Sequence, residues 1–70
     1  MNLQQKRFLA KFGSTDHLDK IINEKDYHIQ SYLANNPFAT KEHLEKLKRK
    51  KKDIYIKMVA EQRLKSGDHK

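Results

Sequence analysis

The chain has 70 residues, no cysteine, one proline and two glycines, which indicates a single small domain without a disulfide framework or a thiolate metal site. Its hydrophobic fraction of 36% lies below the roughly 45–50% of ordinary globular domains, and its net charge is +7, so we expect a thin core and a basic surface. Residues 1–10 lack the apolar segment of a secretory signal, and no apolar run approaches the roughly 18 residues of a membrane span, so we expect a cytoplasmic protein without a membrane anchor.

The first predicted helix covers residues 3–12. Phe8 and Phe12 are four residues apart and Leu9 and Phe12 three apart, which places them on one helix face. We expect Gly13 to end this helix in a left-handed conformation, which glycine adopts without steric cost.

Four further helices are predicted, each beginning at a residue suited to capping. The caps are Ser14 or Thr15, then Asp26, then Ala39 or Thr40, and finally Asp53. The apolar residues of these helices recur three and four apart, and they are Leu18, Ile21 and Ile22, then Ile29, Tyr32 and Leu33, then Leu44 and Leu47, then Ile56, Val59, Ala60 and Leu64. Asn35, Asn36 and Pro37 end the third helix. No segment alternates as a strand does, so the predicted fold class is all-α.

An internal repeat relates the two halves of the chain. Residues 12–21 align with residues 38–47, so that His17 and His43 occupy equivalent positions, and residues 26–29 align with residues 53–56. This predicts one helical domain over residues 1–65, with an N-terminal helix at 3–12, a first repeat at 13–37, a second at 38–64 and a flexible tail at 66–70. Two helical hairpins that stack on each other share a continuous core, as in an α-solenoid.

Three short motifs in residues 26–47 resemble the leucine-rich repeat variant family. These motifs are Asp26/Tyr27/Ile29, Leu33/Ala34/Asn36/Pro37 and Glu42/Leu44. A HEAT-like helical repeat is a looser name for the same resemblance. The second unit has Gln62, Arg63 and Leu64 where the first has the Asn-Pro turn. The matched positions are structural in the family, so the resemblance implies a fold and a binding scaffold and no activity.

Most of the positive charge lies in the second half of the chain. The first 40 residues carry five basic and four acidic side chains, whereas residues 41–70 carry eleven basic and five acidic ones. The five adjacent cations at positions 48–52 repel one another, and contact with a polyanion relieves that repulsion. The candidate phosphate contacts are Lys46, Lys48, Arg49, Lys50, Lys51, Lys52, Lys57 and Arg63. The alternative is a solvated helix end, where the helix dipole favours cations.

No catalytic or metal site is predicted, and no cofactor. His17 and His43 each follow an acidic residue, but successive helix residues point about 100° apart, so we interpret both histidines as repeat positions at a helix–helix contact. The serines lack the glycines of a nucleophile elbow, and Gly13 and Gly67 form no phosphate-binding loop. We therefore expect a binding protein and not an enzyme.

The aromatic residues divide into core candidates and exposed candidates. The pattern predicts that Phe8, Phe12, Tyr32 and Phe38 lie in the core. Tyr27 and Tyr55 lie near the starts of their helices, and we expect them to be exposed and able to stack on bases beside basic groups.

Two functions remain open. The first is binding to nucleic acid, DNA or RNA, through sequence-independent phosphate contacts. The second is a protein–protein adaptor or inhibitor that docks a helical-repeat face on an acidic partner protein. Attachment to an anionic membrane is less favoured, because the basic run carries no large apolar anchors.

Overall fold

In a computed structural model, which describes residues 1–49 and 53–70, this part of the chain folds into five α-helices and contains no strand. The helices are α1 (Leu3–Phe12), α2 (Thr15–Ile21), α3 (Tyr27–Asn35), α4 (Lys41–Lys48) and α5 (Ile54–Ser66). The predicted all-α class is confirmed. Lys50, Lys51 and Lys52 lie outside the described residues.

Each of the four predicted caps precedes a helix. The carboxylates of Asp26 and Asp53 accept from the backbone N–H three residues on, at 3.0 and 3.1 Å. Thr40 caps α4 and Ser14 precedes α2. At both Thr40 and Ser14 the backbone N–H donates to the Nδ1 of a histidine three residues later, His43 at 3.0 Å and His17 at 3.2 Å. The equivalent histidines therefore serve as the return arm of a capping box.

Gly13 does not adopt the left-handed conformation that was predicted. Its φ of −75° and ψ of 163° are extended, and its N–H donates to the Leu9 carbonyl at 2.7 Å. Glycine is required there for space, because an added Cβ would lie 2.4 Å from that carbonyl oxygen. The left-handed cap is Gly67, with a φ of 74°, at the end of α5.

The core is one thin cluster of aliphatic residues drawn from all five helices. Helix α3 lies between α1 and α5 and contacts both, and the most extensive contact joins α4 to α5. The repeat-equivalent Leu18 and Leu44 are both fully buried. The molecule measures 32 × 24 × 13 Å, so it is little more than one helix layer deep in its shortest direction.

The prediction that the three phenylalanines lie in the core is wrong. Phe8 and Phe12 are 61% and 63% exposed, and Phe38 is also exposed. On α1 the buried residue is Ala10, and Phe8 and Phe12 each lie two positions from it, which points them roughly 200° around the helix. Tyr32, which was also assigned to the core, is half-buried against it.

Two buried polar side chains perform the same task one repeat apart. Asn36 donates from its amide to the carbonyls of Ala10 and Gly13, at 2.9 and 3.0 Å, where α1 ends. Arg63, 27 positions later, donates from its guanidinium to the carbonyls of Ala34 and Asn36, at 2.7 and 2.8 Å, where α3 ends. Each side chain donates to carbonyls that have no partner within the helix that ends there. This parallel is what a duplicated unit predicts, although the solenoid-like stacking itself stays a prediction.

The C-terminal tail, which was predicted to be flexible, makes specific contacts. The backbone N–H of Lys70 donates to the Ala39 carbonyl at 3.0 Å, and its ammonium lies 5.4 Å from the centre of the Phe38 ring. The Asp68 carbonyl accepts from Arg63 Nε at 2.8 Å. The last residues are therefore joined to the start of α4 and to the buried arginine.

Candidate nucleic-acid interface

Four of the candidate cations surround the junction of α4 and α5, and we name them the cationic corner: Lys46, Lys48, Arg49 and Lys57. Helix α4 buries His43, Leu44 and Leu47 on one face, which leaves its lysines in solvent. Arg49 follows α4 as its C-cap, and Lys57 lies on the exposed side of α5. Lys50, Lys51 and Lys52, the centre of the predicted site, fall outside the described residues.

The cationic corner has no carboxylate partner within the part of the chain that the structure describes. None of its four side chains is in an ion pair there, whereas Lys6 pairs with Glu24 at 3.1 Å and Arg7 with Asp26 at 2.9 Å. Residues 46–57 contain seven basic side chains and one acidic one, Asp53, whose carboxylate caps α5. The local positive potential is therefore directed toward solvent, where a polyanion can neutralise it.

Arg63 does not belong to this surface. It is 8% exposed, its guanidinium donates to three backbone carbonyls, and its Nε lies 3.7 Å from the Asp68 carboxylate. Its guanidinium holds the end of α3, so a residue that was predicted to contact phosphates has a structural role. We leave Arg63 out of the proposed interface.

Tyr27 and Tyr55 are exposed to nearly the same extent, 48% and 49%, as expected. Their surroundings differ. Tyr27 meets the His28 ring edge-on, with 5.8 Å between ring centres. Tyr55 is in the first turn of α5, beside the cationic corner in sequence, and lines a groove between that helix and the end of α3.

The groove on α5 has a volume of about 510 Å³ and was not predicted from the sequence. It is lined by Asn35, Pro37, Tyr55, Met58, Val59, Gln62, Arg63 and Asp68. Met58 is 62% exposed, and Ile54, one turn earlier, is also exposed. The sequence contained a signal for it, because apolar residues occur on more than one face of α5 and a helix at the edge of the molecule buries only one.

A second exposed aromatic cluster lies on α1 and α3. The rings of Phe8 and Phe12 are 5.1 Å apart, and the ammonium of Lys11 lies 5.3 Å from the Phe12 centroid and 5.5 Å from that of Tyr32. These are favourable cation–π distances. The neighbouring cations Lys6 and Arg7 are already in ion pairs, so this cluster has less unpaired charge than the cationic corner.

The histidines hold structure together. His43 is buried, and its Nδ1 accepts from the Thr40 N–H, so the proton of the neutral ring is on Nε2. That Nε2 donates to the Asp19 carboxylate at 2.6 Å and so links α4 to α2. His17, at the equivalent position, is exposed. Within residues 1–49 and 53–70, no three histidine, aspartate or glutamate side chains converge as metal ligands do.

The pair of Arg7 and Asp26 is the strongest electrostatic contact between α1 and the start of α3. Two hydrogen bonds of 3.0 and 2.9 Å join the guanidinium to the carboxylate. The hydrogen bond from Arg7, assisted by the Ile29 N–H, lowers the pKa of Asp26 from its ordinary 3.8 to about 2 against the opposing effect of burial. Because this carboxylate also caps α3, the pair is structural and lies outside the candidate interface.

Comparisons with known proteins leave the resemblance untested. No protein-family model matches the chain, and no curated protein and no solved structure shows significant similarity to it. The likeness to the leucine-rich repeat variant family therefore stays a prediction. Across the described residues, no helix combines the length and the apolar character needed to cross a bilayer.

Proposed function

We propose that this chain is a small, basic, non-enzymatic module that binds the phosphates of nucleic acid, DNA or RNA, through the cationic corner and the adjoining lysines at 50–52. The observation that carries the proposal is the set of exposed cations at the junction of α4 and α5 without carboxylate partners in the described chain. Such contacts are independent of sequence, and their affinity comes from the release of counterions.

Salt dependence tests this proposal. Fluorescence anisotropy of a labelled duplex is measured at about 50 mM and about 200 mM salt, because each phosphate contact to duplex DNA adds about 0.9 to the slope of log affinity against log salt. We expect Lys48→Gln with Arg49→Gln to weaken binding at low salt and to reduce that slope by about 2, if each side chain neutralises one phosphate. Both side chains are exposed, so the fold is expected to tolerate the change.

The matched control replaces two cations away from the corner. Lys20→Gln with Lys25→Gln removes the same charge from exposed positions on and after α2. It is expected to change the slope much less. No binding to duplex or single strand at the lower salt, or equal loss in both double variants, would contradict the assignment to the cationic corner.

A protein adaptor or inhibitor that docks on an acidic partner is the second candidate, and the exposed apolar side chains of α5 favour it. Ile54 and Met58 lie one turn apart on that face, and exposed apolar patches commonly mark protein interfaces. An acidic partner retained from nuclease-treated lysate by the wild type and lost with Met58→Lys would support this alternative. Loss of all retention on nuclease treatment would support the nucleic-acid proposal.

A further inference from the structure

We propose that the groove between α5 and the end of α3 holds an unpaired base of single-stranded nucleic acid, stacked on Tyr55, while the cationic corner holds the adjoining phosphates. This inference rests on the proposed function. It adds the form of the nucleic acid, which is single-stranded, and the residue on which a base stacks.

The position of Tyr55 joins the two parts of the site. It lies in the first turn of α5, directly after the basic run in sequence. Its ring is half exposed and forms one wall of the groove. Proteins that bind single strands combine cations along the backbone with aromatic rings on which bases stack.

The lining of the groove suits a planar heterocycle with polar edges. Tyr55, Met58 and Val59 supply an apolar wall. Asn35 and Gln62 bring side-chain amides to the same groove, and the Nδ2 of Asn35 donates to the Ser31 carbonyl, which leaves its Oδ1 to accept. Amides can donate to and accept from the edges of a base. The volume of about 510 Å³ lies in the usual range for pockets that hold small ligands.

Charge distinguishes this occupant from a second copy of the chain. Two copies, each of net charge +7, repel each other, whereas a polynucleotide is attracted and neutralises the corner. A duplex keeps its bases stacked and paired, so only an unpaired base can enter a groove on the surface.

The test separates contacts to bases from contacts to phosphates. The probes are labelled oligothymidine of about twelve nucleotides and an abasic strand of the same length, which has the same phosphate charge and no bases. We expect the wild type to bind oligothymidine roughly ten-fold more tightly than the abasic strand at low salt, since stacking on one aromatic side chain has about that effect. Tyr55→Ala should remove this difference without changing affinity for the abasic strand, and Tyr55→Phe should restore it.

Tyr27→Ala is the matched control, because Tyr27 has the same exposure, also lies at the start of a helix after a capping aspartate, and is outside the groove. It should keep the preference for oligothymidine. Equal binding of the two probes by the wild type would overturn this inference while the phosphate proposal stands, and would leave the groove to an acidic protein segment. Equal losses in the Tyr27 and Tyr55 variants would also overturn it. If neither probe binds at low salt, this inference fails, and the phosphate proposal fails with it when the labelled duplex does not bind either.

Discussion

Asn36 and Arg63 perform the same structural task with different side chains. Both side chains are buried, and both donate to backbone carbonyls at the end of the preceding α1 or α3. An amide reaches two carbonyls from an adjacent turn, and a guanidinium reaches three with its longer stem. The sequence showed the exchange of Asn-Pro for Gln-Arg-Leu, but the chemical equivalence required the hydrogen bonds.

The buried amide of Asn36 is expected to be one of the most sensitive positions. Asn36→Ala removes the partners of the Ala10 and Gly13 carbonyls and of the Phe38 N–H, which leaves buried polar groups unsatisfied. We expect a loss of about 3 kcal/mol in the free energy of unfolding, measured by urea denaturation. The neighbouring Asn35→Ala, at an exposed position, should change it by less than about 0.5 kcal/mol. Similar losses in the two variants would show that the amide network does not stabilise the fold.

The pair of Arg7 and Asp26 predicts a dependence of stability on acid pH. The pKa of Asp26 is about 2 in the folded chain and near its ordinary 3.8 when unfolded, so the unfolded state binds the proton more tightly. The stabilisation is complete above pH 4 or so and is lost as the pH falls from about 4 to about 2. In Asp26→Asn the cap is retained, because asparagine caps as well as aspartate, and this part of the acid sensitivity disappears. Thermal unfolding of the wild type and of Asp26→Asn at several pH values measures the difference. The same dependence of Tm on pH in the two proteins would contradict the prediction.

At the scale of the helices, starts are more predictable than ends. The caps at Asp26 and Asp53 follow from the chemistry of a side chain next to its own helix, and the structure has both. The end of α1 depends on how closely the Gly13 backbone approaches the Leu9 carbonyl, which is a matter of three-dimensional packing. The sequence correctly predicted that α1 ends at Gly13. The predicted reason, a left-handed conformation, was wrong.

We therefore expect substitutions of Gly13 and Gly67 to differ in their effect on stability. Gly13→Ala places a Cβ 2.4 Å from a backbone oxygen and 2.8 Å from the His17 Cβ, so the chain must shift, at a cost of about 2 kcal/mol. Gly67→Ala meets no atom within 4 Å and loses only the ease of a positive φ, about 1 kcal/mol. Urea denaturation of the two variants compares them directly. A smaller loss for Gly13→Ala than for Gly67→Ala would show that the close approach is relaxed in solution.

At the scale of the whole molecule, the small thickness of the fold explains why the fold class was predicted correctly while the burial of the phenylalanines was not. Helical periodicity places Phe8 and Phe12 on one face of α1, but it does not say whether that face is covered. In a molecule 13 Å deep, each outer helix has neighbours on one side only, so a second apolar face is left in solvent. The same reason explains why the groove on α5 could not be predicted, although its apolar side chains are visible in the sequence.

A ligand that binds the folded chain is expected to raise its stability considerably. A single-domain fold of this size gains about 2.7 kcal/mol when a ligand is present at about 100 times its Kd. At about 4–8 °C per kcal/mol, oligothymidine should raise the Tm by roughly 10–20 °C at low salt. The increase should shrink strongly as salt rises, because counterion release weakens. A Tm that oligothymidine does not change at low salt would contradict binding to the folded chain.

The attachment of the last residues has a consequence for handling the protein. Trimming by a carboxypeptidase past Asp68 removes the acceptor for Arg63 Nε and separates the chain from Ala39. The guanidinium beside the Asn-Pro turn would then have to find water in place of a carbonyl. A sample that has lost three residues from that end is thus expected to have a lower Tm than intact protein. The contacts that it loses stabilise a turn some thirty positions earlier in the chain.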